Sequence, residues 1–133
     1  MNHVLKIKQG KFTYSVARAS AAQQKTLMTL IAANVLLKSV QSKQGEINEE
    51  MIYGVLLTIG EPIFDQIVDL VLGVVVRVDQ PEIPIDIESF QDHMHDYFML
   101  IAKVIKENLQ DFFTYLDEEN AKNRNLRQLN QKS

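Results

Sequence analysis

Two short runs of alternating apolar and polar residues open the chain, at 4–8 and 12–16, and beyond them every sustained apolar pattern has a helical period. In the second run Phe12, Tyr14 and Val16 share one face of a strand, and Gly10 between the runs suits a turn. A hairpin this short is marginal unless it packs on something else. Residues 1–19 are therefore expected to form an arm whose order depends on its contacts. Ser20 followed by Gln23 is a capping box, in which the hydroxyl accepts from a first-turn amide and the glutamine reaches back. The helix it starts is predicted to run to about Ser42, with Gly45 at its exit. Leu27, Leu30, Ile31, Asn34 and Leu37 form one stripe of that helix, while Met28, Ala32, Val35 and Leu36 cover an adjoining face. This apolar arc is wider than a one-sided surface helix needs. It implies either a helix central to the fold or one that meets another subunit.

Asn48 is placed to cap a second helix, with Met51, Ile52, Val55, Leu56 and Ile59 inward. Gly60-Glu61-Pro62 breaks the pattern, and Pro62 suits the first turn of a third helix that buries Ile63, Ile67, Leu70 and Val71 and stops at Gly73. The β-branched run Val74–Val78 reads as a short strand or an irregular buried segment. Pro81 and Pro84 make 79–87 mostly loop. From Ser89 and Asp92, the stripe Phe90, Met94, Phe98, Ile101, Ile105, Leu109, Phe112 and Leu116 predicts one helix of about 30 residues ending near Glu119. The segment 120–133 is polar, lacks a sustained apolar face and is expected to be a loose basic tail. The fold class is mainly α: one compact helical domain over 20–119 with a long C-terminal helix, a short N-terminal arm, and room for one or two minor strands.

Composition narrows the function. No cysteine is present, so thiol nucleophiles, disulfides and thiolate metal sites are excluded. The opening residues lack the apolar core of a secretion signal, and the uncharged stretch from Thr26 to Leu37 is short of the roughly 20 residues of a membrane-spanning helix. Charge is strongly segregated. Residues 1–45 carry seven basic residues and no acid, all 17 acids lie between Glu46 and Glu119, and the tail returns to basic with Lys122, Arg124, Arg127 and Lys132. Such blocks fit a polar partner, an internally compensated surface, or head-to-tail self-association in rings or helical filaments.

Candidate chemistry is sparse. His93 and His95, two apart on a helix, point away from each other, and Asp92, His93 and Asp96 form at most a carboxylate–imidazole cluster on a solvated first turn. Asp65 with Asp69, and Glu46 with Glu50, stand one turn apart without a feature that would perturb either member. There is no phosphate-cradling glycine motif and no nucleophile elbow. No enzyme, cofactor or metal is expected. Phe12 and Tyr14 among Lys6, Lys8, Lys11 and Arg18 offer the rival reading, a small nucleic-acid-binding regulator that stacks bases and neutralises phosphates. The strongly acidic remainder and thin clustering of basic residues weigh against it.

The order of elements carries a resemblance. A short aromatic arm (KFTYSVARAS) before an alanine- and leucine-rich helix, a valine-rich segment running into VDQPEIPID, and a final helix containing IKENLQDFFTYLDE are similar to tail assembly chaperones of long-tailed (siphovirus-type) bacteriophages, over about residues 11–119. The resemblance implies a small, mostly helical non-virion protein of the host cytoplasm. It would bind the tape measure protein, recruit tail-tube subunits, and self-associate as a homo-oligomer in helical or head-to-tail fashion. It also implies, in many relatives, a longer product made by ribosomal frameshifting, with the basic tail as the point of extension. Such a holder needs exposed aliphatic surface. Phe12, Tyr14, Arg18, Met28, Ala32, Val35 and Leu36 are the candidate protein-binding residues.

Overall fold

Residues Val4–Gln9 (β1) and Phe12–Ala17 (β2) pair antiparallel across a two-residue Gly10-Lys11 turn. The computed structural model describes residues 4–41 and 48–131, and the side chains of 5–38 and 48–122. Gly10 has φ +62°, the left-handed conformation that two-residue hairpin turns demand. The hairpin does not stand alone as an arm. Val75–Arg77 (β3) adds to β2, giving a three-stranded antiparallel sheet of order β1-β2-β3. Leu5, Val16 and Val75 fall in one row, and Tyr14 and Val16 are core residues. The sheet is what makes so short a hairpin worthwhile, because a third strand and a helical backing bury its inner face.

Ala21–Gln41 (α1) follows, and its capping box forms as the sequence predicts: Gln23 N donates to Ser20 Oγ at 3.2 Å and Ser20 N to Gln23 Oε1 at 2.9 Å. The exit at Gly45 lies outside the described residues. Glu49–Thr58 (α2) is capped by Asn48, whose Oδ1 accepts from Met51 N at 3.0 Å. Glu61–Leu72 (α3) begins one residue before Pro62 and ends at Gly73. A short 3-10 helix, Ile87–Phe90, leads into Met94–Asn108 (α4) and Gln110–Gln131 (α5).

The C-terminal part departs from the single helix that periodicity predicts. Asp92 has φ +65°, so α4 starts only at Met94, with His93 at its N-cap position. At Leu109 (φ −119°, ψ 30°) the helix bends and α5 begins. Two polar side chains engage the backbone at this bend. Asn108 Nδ2 donates to Val104 O at 3.1 Å, taking a carbonyl of its own preceding turn, and Phe112 N donates to Asp111 Oδ1 at 2.8 Å. Both are local side-chain contacts of the kind that compete with a continuous helix. The second departure is the C-terminus: α5 passes Glu119 and continues to Gln131, over a stretch with neither glycine nor proline to stop it.

α4 is the hub. Tyr97, Leu100, Ile101, Val104, Ile105 and Asn108 are buried along one face of it, and Ala102 is buried beside that face. Ile52, Val55 and Leu56 of α2 and Ile67 and Val71 of α3 pack on it, and Leu27, Ile31 and Val35 of α1 extend the same core against α2, α3 and α5. Asn108 also accepts from Ala19 N at 2.9 Å through Oδ1, which ties the sheet-to-α1 junction to the bend. The hairpin turn sits against the start of α4: a Cβ at Gly10 would lie 2.7 Å from Asp96 Oδ2, and Gln9 Nε2 donates to Asp96 Oδ1 at 2.7 Å. Gly10→Ala combines a left-handed residue with that collision. It is expected to lower stability by about 1–3 kcal/mol, read as a shifted urea midpoint; an unchanged midpoint would show that the turn gives way freely.

Candidate functional site

Two surfaces offer apolar area to a partner. The first is the outer side of α1. From Ala21 to Leu37 its only charged residue is Lys25. The core line is Leu27, Ile31 and Val35, one turn apart, which turns Met28, Leu36 and Leu37 outward. Leu36 is 43% and Leu37 58% exposed. Ala32 is half-buried between the two sides.

This placement divides the candidate residues. Met28, Ala32 and Leu36 share the outer side of α1. Val35, grouped with them by the sequence pattern, is fully buried and belongs to the core. Leu37, assigned to the inner stripe, faces out instead. Tyr14 is buried as well, and burial raises its phenol pKa above the ordinary value. Phe12 is partly exposed, but its ring is covered by the Arg77 guanidinium, 3.7 Å from the ring centroid. Arg77 in turn donates from Nε and from its terminal nitrogen to the two carboxylate oxygens of Asp79 at 2.8 and 2.6 Å, which holds the Asp79 pKa below its ordinary value. Tyr14 is therefore not free to stack on a base, and one face of Phe12 is already taken by Arg77. Arg18 is exposed beside α5, in a shallow recess with Asn108, Asp111, Tyr115 and Glu118.

The second surface is a groove of about 330 Å³ between α2, α3, the 3-10 helix and α4. Leu56, Phe64, Tyr97 and Phe98 form its floor, with the rings of Phe64 and Phe98 stacked at 4.8 Å and 21°. Leu57, Ile87 and Met94 stand exposed at its edges, and the charges lining it are Glu61 and Asp65. Tyr97 registers their field: burial first, then the carboxylates of Asp65, Asp69 and Asp86, raise its phenol pKa. Periodicity alone put Met94 in the core stripe. It faces out because α4 starts later than that pattern implies, while the loop that delivers Ile87 has no period to read.

The acidic and histidine residues singled out for chemistry do not converge. Asp92 is outside the helix, so it does not stand one turn from Asp96, and His93 Nδ1 is 3.9 Å from Asp96 Oδ2 on an exposed ring. Asp96 is engaged instead by Gln9. Asp65 and Asp69 both face solvent, and Glu46 lies outside the described residues. Among the described residues no group of three or more histidine and acidic side chains is arranged to hold a metal ion. No helix among them is long and apolar enough to cross a membrane.

Compared with known proteins, residues 10–121 match the model of the family described as "Phage tail assembly chaperone protein, TAC". The match spans β2 and β3, the helices α1 to α4, the bend at Leu109 and the first half of α5. No curated protein and no solved structure matches the chain.

Proposed function

We propose that this chain, which belongs to the phage tail assembly chaperone family, binds the tape measure protein, recruits tail-tube subunits around it and self-associates while doing so, in the host cytoplasm and without a catalytic step. The family match over residues 10–121 is the observation that carries the reading. The outer side of α1 supports its physical form. A holder with no energy source must offer apolar area that a helical client can cover and later release, and an unpartnered helix side of Met28, Ala32 and Leu36 with one flanking lysine does so. Anchors at four-residue spacing match the stripe of an amphipathic client helix laid alongside.

The double variant Met28→Asp/Leu36→Asp tests this. Both side chains are exposed, so the unfolding midpoint should move by no more than about 1 kcal/mol. Capture of the tape measure protein in co-expression should fall by about tenfold or more, since two charges would have to be desolvated against the client. Undiminished capture by a folded variant would move the client to another surface.

A further inference from the structure

From the groove and the distribution of ion pairs together, we infer that the groove between α2, α3 and α4 docks a helix of a partner protein whose apolar stripe is bordered by lysines and arginines. The inference goes beyond the client surface on α1, since no α1 residue lines the groove. The segregated charge fits a polar partner, an internally compensated surface or self-association, and the structure weighs against the second. Among the described residues, no ion pair joins the basic N-terminal block to the acidic middle. The cations within that middle are engaged elsewhere: Arg77 by Asp79, Lys106 by Glu49, and Lys103 by the carbonyl of Lys8 at 3.1 Å. Glu61 and Asp65 at the groove therefore have no ion-pair partner among the described residues, and no lysine or arginine lines it. Asp69 and Asp86 lie close enough for their charge to act on Tyr97 in the groove floor.

The form of the occupant follows from the walls. No lining residue belongs to a strand, so the groove has no open sheet edge for an extended chain. The occupant must then satisfy its own backbone hydrogen bonds, as a helix does. At about 330 Å³ the groove stands at the small end of ligand pockets, roughly 300–1,000 Å³. It admits anchoring side chains and leaves the body of the helix outside, against exposed Leu57, Ile87 and Met94. Met94 is unbranched and can repack around anchors of different shape. Cations bordering the stripe then meet Glu61 and Asp65, which sets orientation and speeds encounter more than it adds affinity. The outer side of α1 is the reverse case, with Lys25 as its one charge and no acid from 21 to 37. One chain thus offers two apolar surfaces with opposite charge at their borders, and they select different helices.

Fluorescence anisotropy on the full chain at low ionic strength tests it with two labelled helical peptides, each about four turns long. They share one leucine stripe, and the first carries lysine and the second glutamate at every bordering position. The lysine peptide should bind about tenfold or more tighter than the glutamate peptide, and the difference should shrink as salt is raised. Glu61→Lys/Asp65→Lys should invert the preference. Glu50→Lys/Glu118→Lys makes the same charge change on exposed residues that do not line the groove and should preserve it. Leu57→Ser/Met94→Ser removes exposed apolar edge at constant charge. It should weaken the lysine peptide by about tenfold, and it decides the matter if the groove reversal fails to fold. Met28→Asp/Leu36→Asp should leave the lysine peptide bound. A lysine peptide that does not bind, two peptides that bind alike, or a preference lost equally in Glu50→Lys/Glu118→Lys overturns the assignment. So does a changed sedimentation coefficient of the groove reversal without peptide, which would give the groove to a second copy. The tape measure protein takes no part here, so failed capture of it would remove the proposed chaperone role while the peptides still decide the groove.

Discussion

Val35→Asp is expected to unfold the protein where Leu36→Asp, one residue further on, leaves it standing. Val35 is fully buried between α1 and its neighbours, whereas Leu36 is 43% exposed. A carboxylate at 35 must either be carried uncompensated into the core or be neutralised with its pKa driven up, and both are costly. A loss of about 4 kcal/mol or more is expected, a large share of a typical domain's 5–15 kcal/mol. In a thermal melt this corresponds to a drop of roughly 10–20 °C, or to no cooperative transition at all. Leu36→Asp removes apolar area already facing water and should stay within about 1 kcal/mol of the parent. Equal losses at both positions would mean that the outer side of α1 is covered within the chain and is not available to a client.

Asn108→Ala carries the second largest expected effect. Asn108 is the buried polar residue of the core among the described residues, 6% exposed, and both ends of its amide are used: Oδ1 accepts from Ala19 N and Nδ2 donates to Val104 O. Alanine removes the acceptor and leaves the Ala19 amide without it at a part-buried junction. The desolvation penalty of such an orphaned donor is about 1–3 kcal/mol, more than the net worth of a hydrogen bond made in water. The urea midpoint should fall accordingly, and amide exchange at Ala19 should accelerate. Because the same side chain feeds the bend at Leu109, the variant should also change how α5 leaves the core, measurable by small-angle scattering as a change in maximum dimension. A stable variant with an unaltered α5 would show that Leu109 bends for another reason.

Local chemistry was the legible part of this fold. The Ser20–Gln23 box, the Asn48 cap, Pro62 in the first turn of α3 and the stop at Gly73 each depend on residues within one turn of each other, and all form. The inward stripes of α2 and α3 follow from their period for the same reason. What the pattern did not reveal is set by partners distant in sequence. β3 joins β2 across some 60 residues, so nothing local to the hairpin shows that Val75 and Val76 lie beside it. α1 is apolar nearly all round, and periodicity cannot decide whether Val35 or Leu37 turns inward when both are aliphatic. The bend at Leu109 interrupts a stripe that is continuous in sequence. Its signal was present in Asn108 and Asp111, side chains that compete for helical backbone groups, but the apolar period outweighed it. The groove escaped notice because its edge comes from Leu57, Ile87 and Met94, which belong to three different elements.

The central claim is that this chain holds a tape measure protein. Its most direct test is to express the tape measure protein of the same phage with and without this chain and measure the soluble fraction by size-exclusion chromatography. The account predicts that the tape measure protein is soluble and co-elutes with this chain when the two are made together, and precipitates when made alone. A tape measure protein that precipitates equally in both cases, or stays soluble without ever co-eluting, would contradict it.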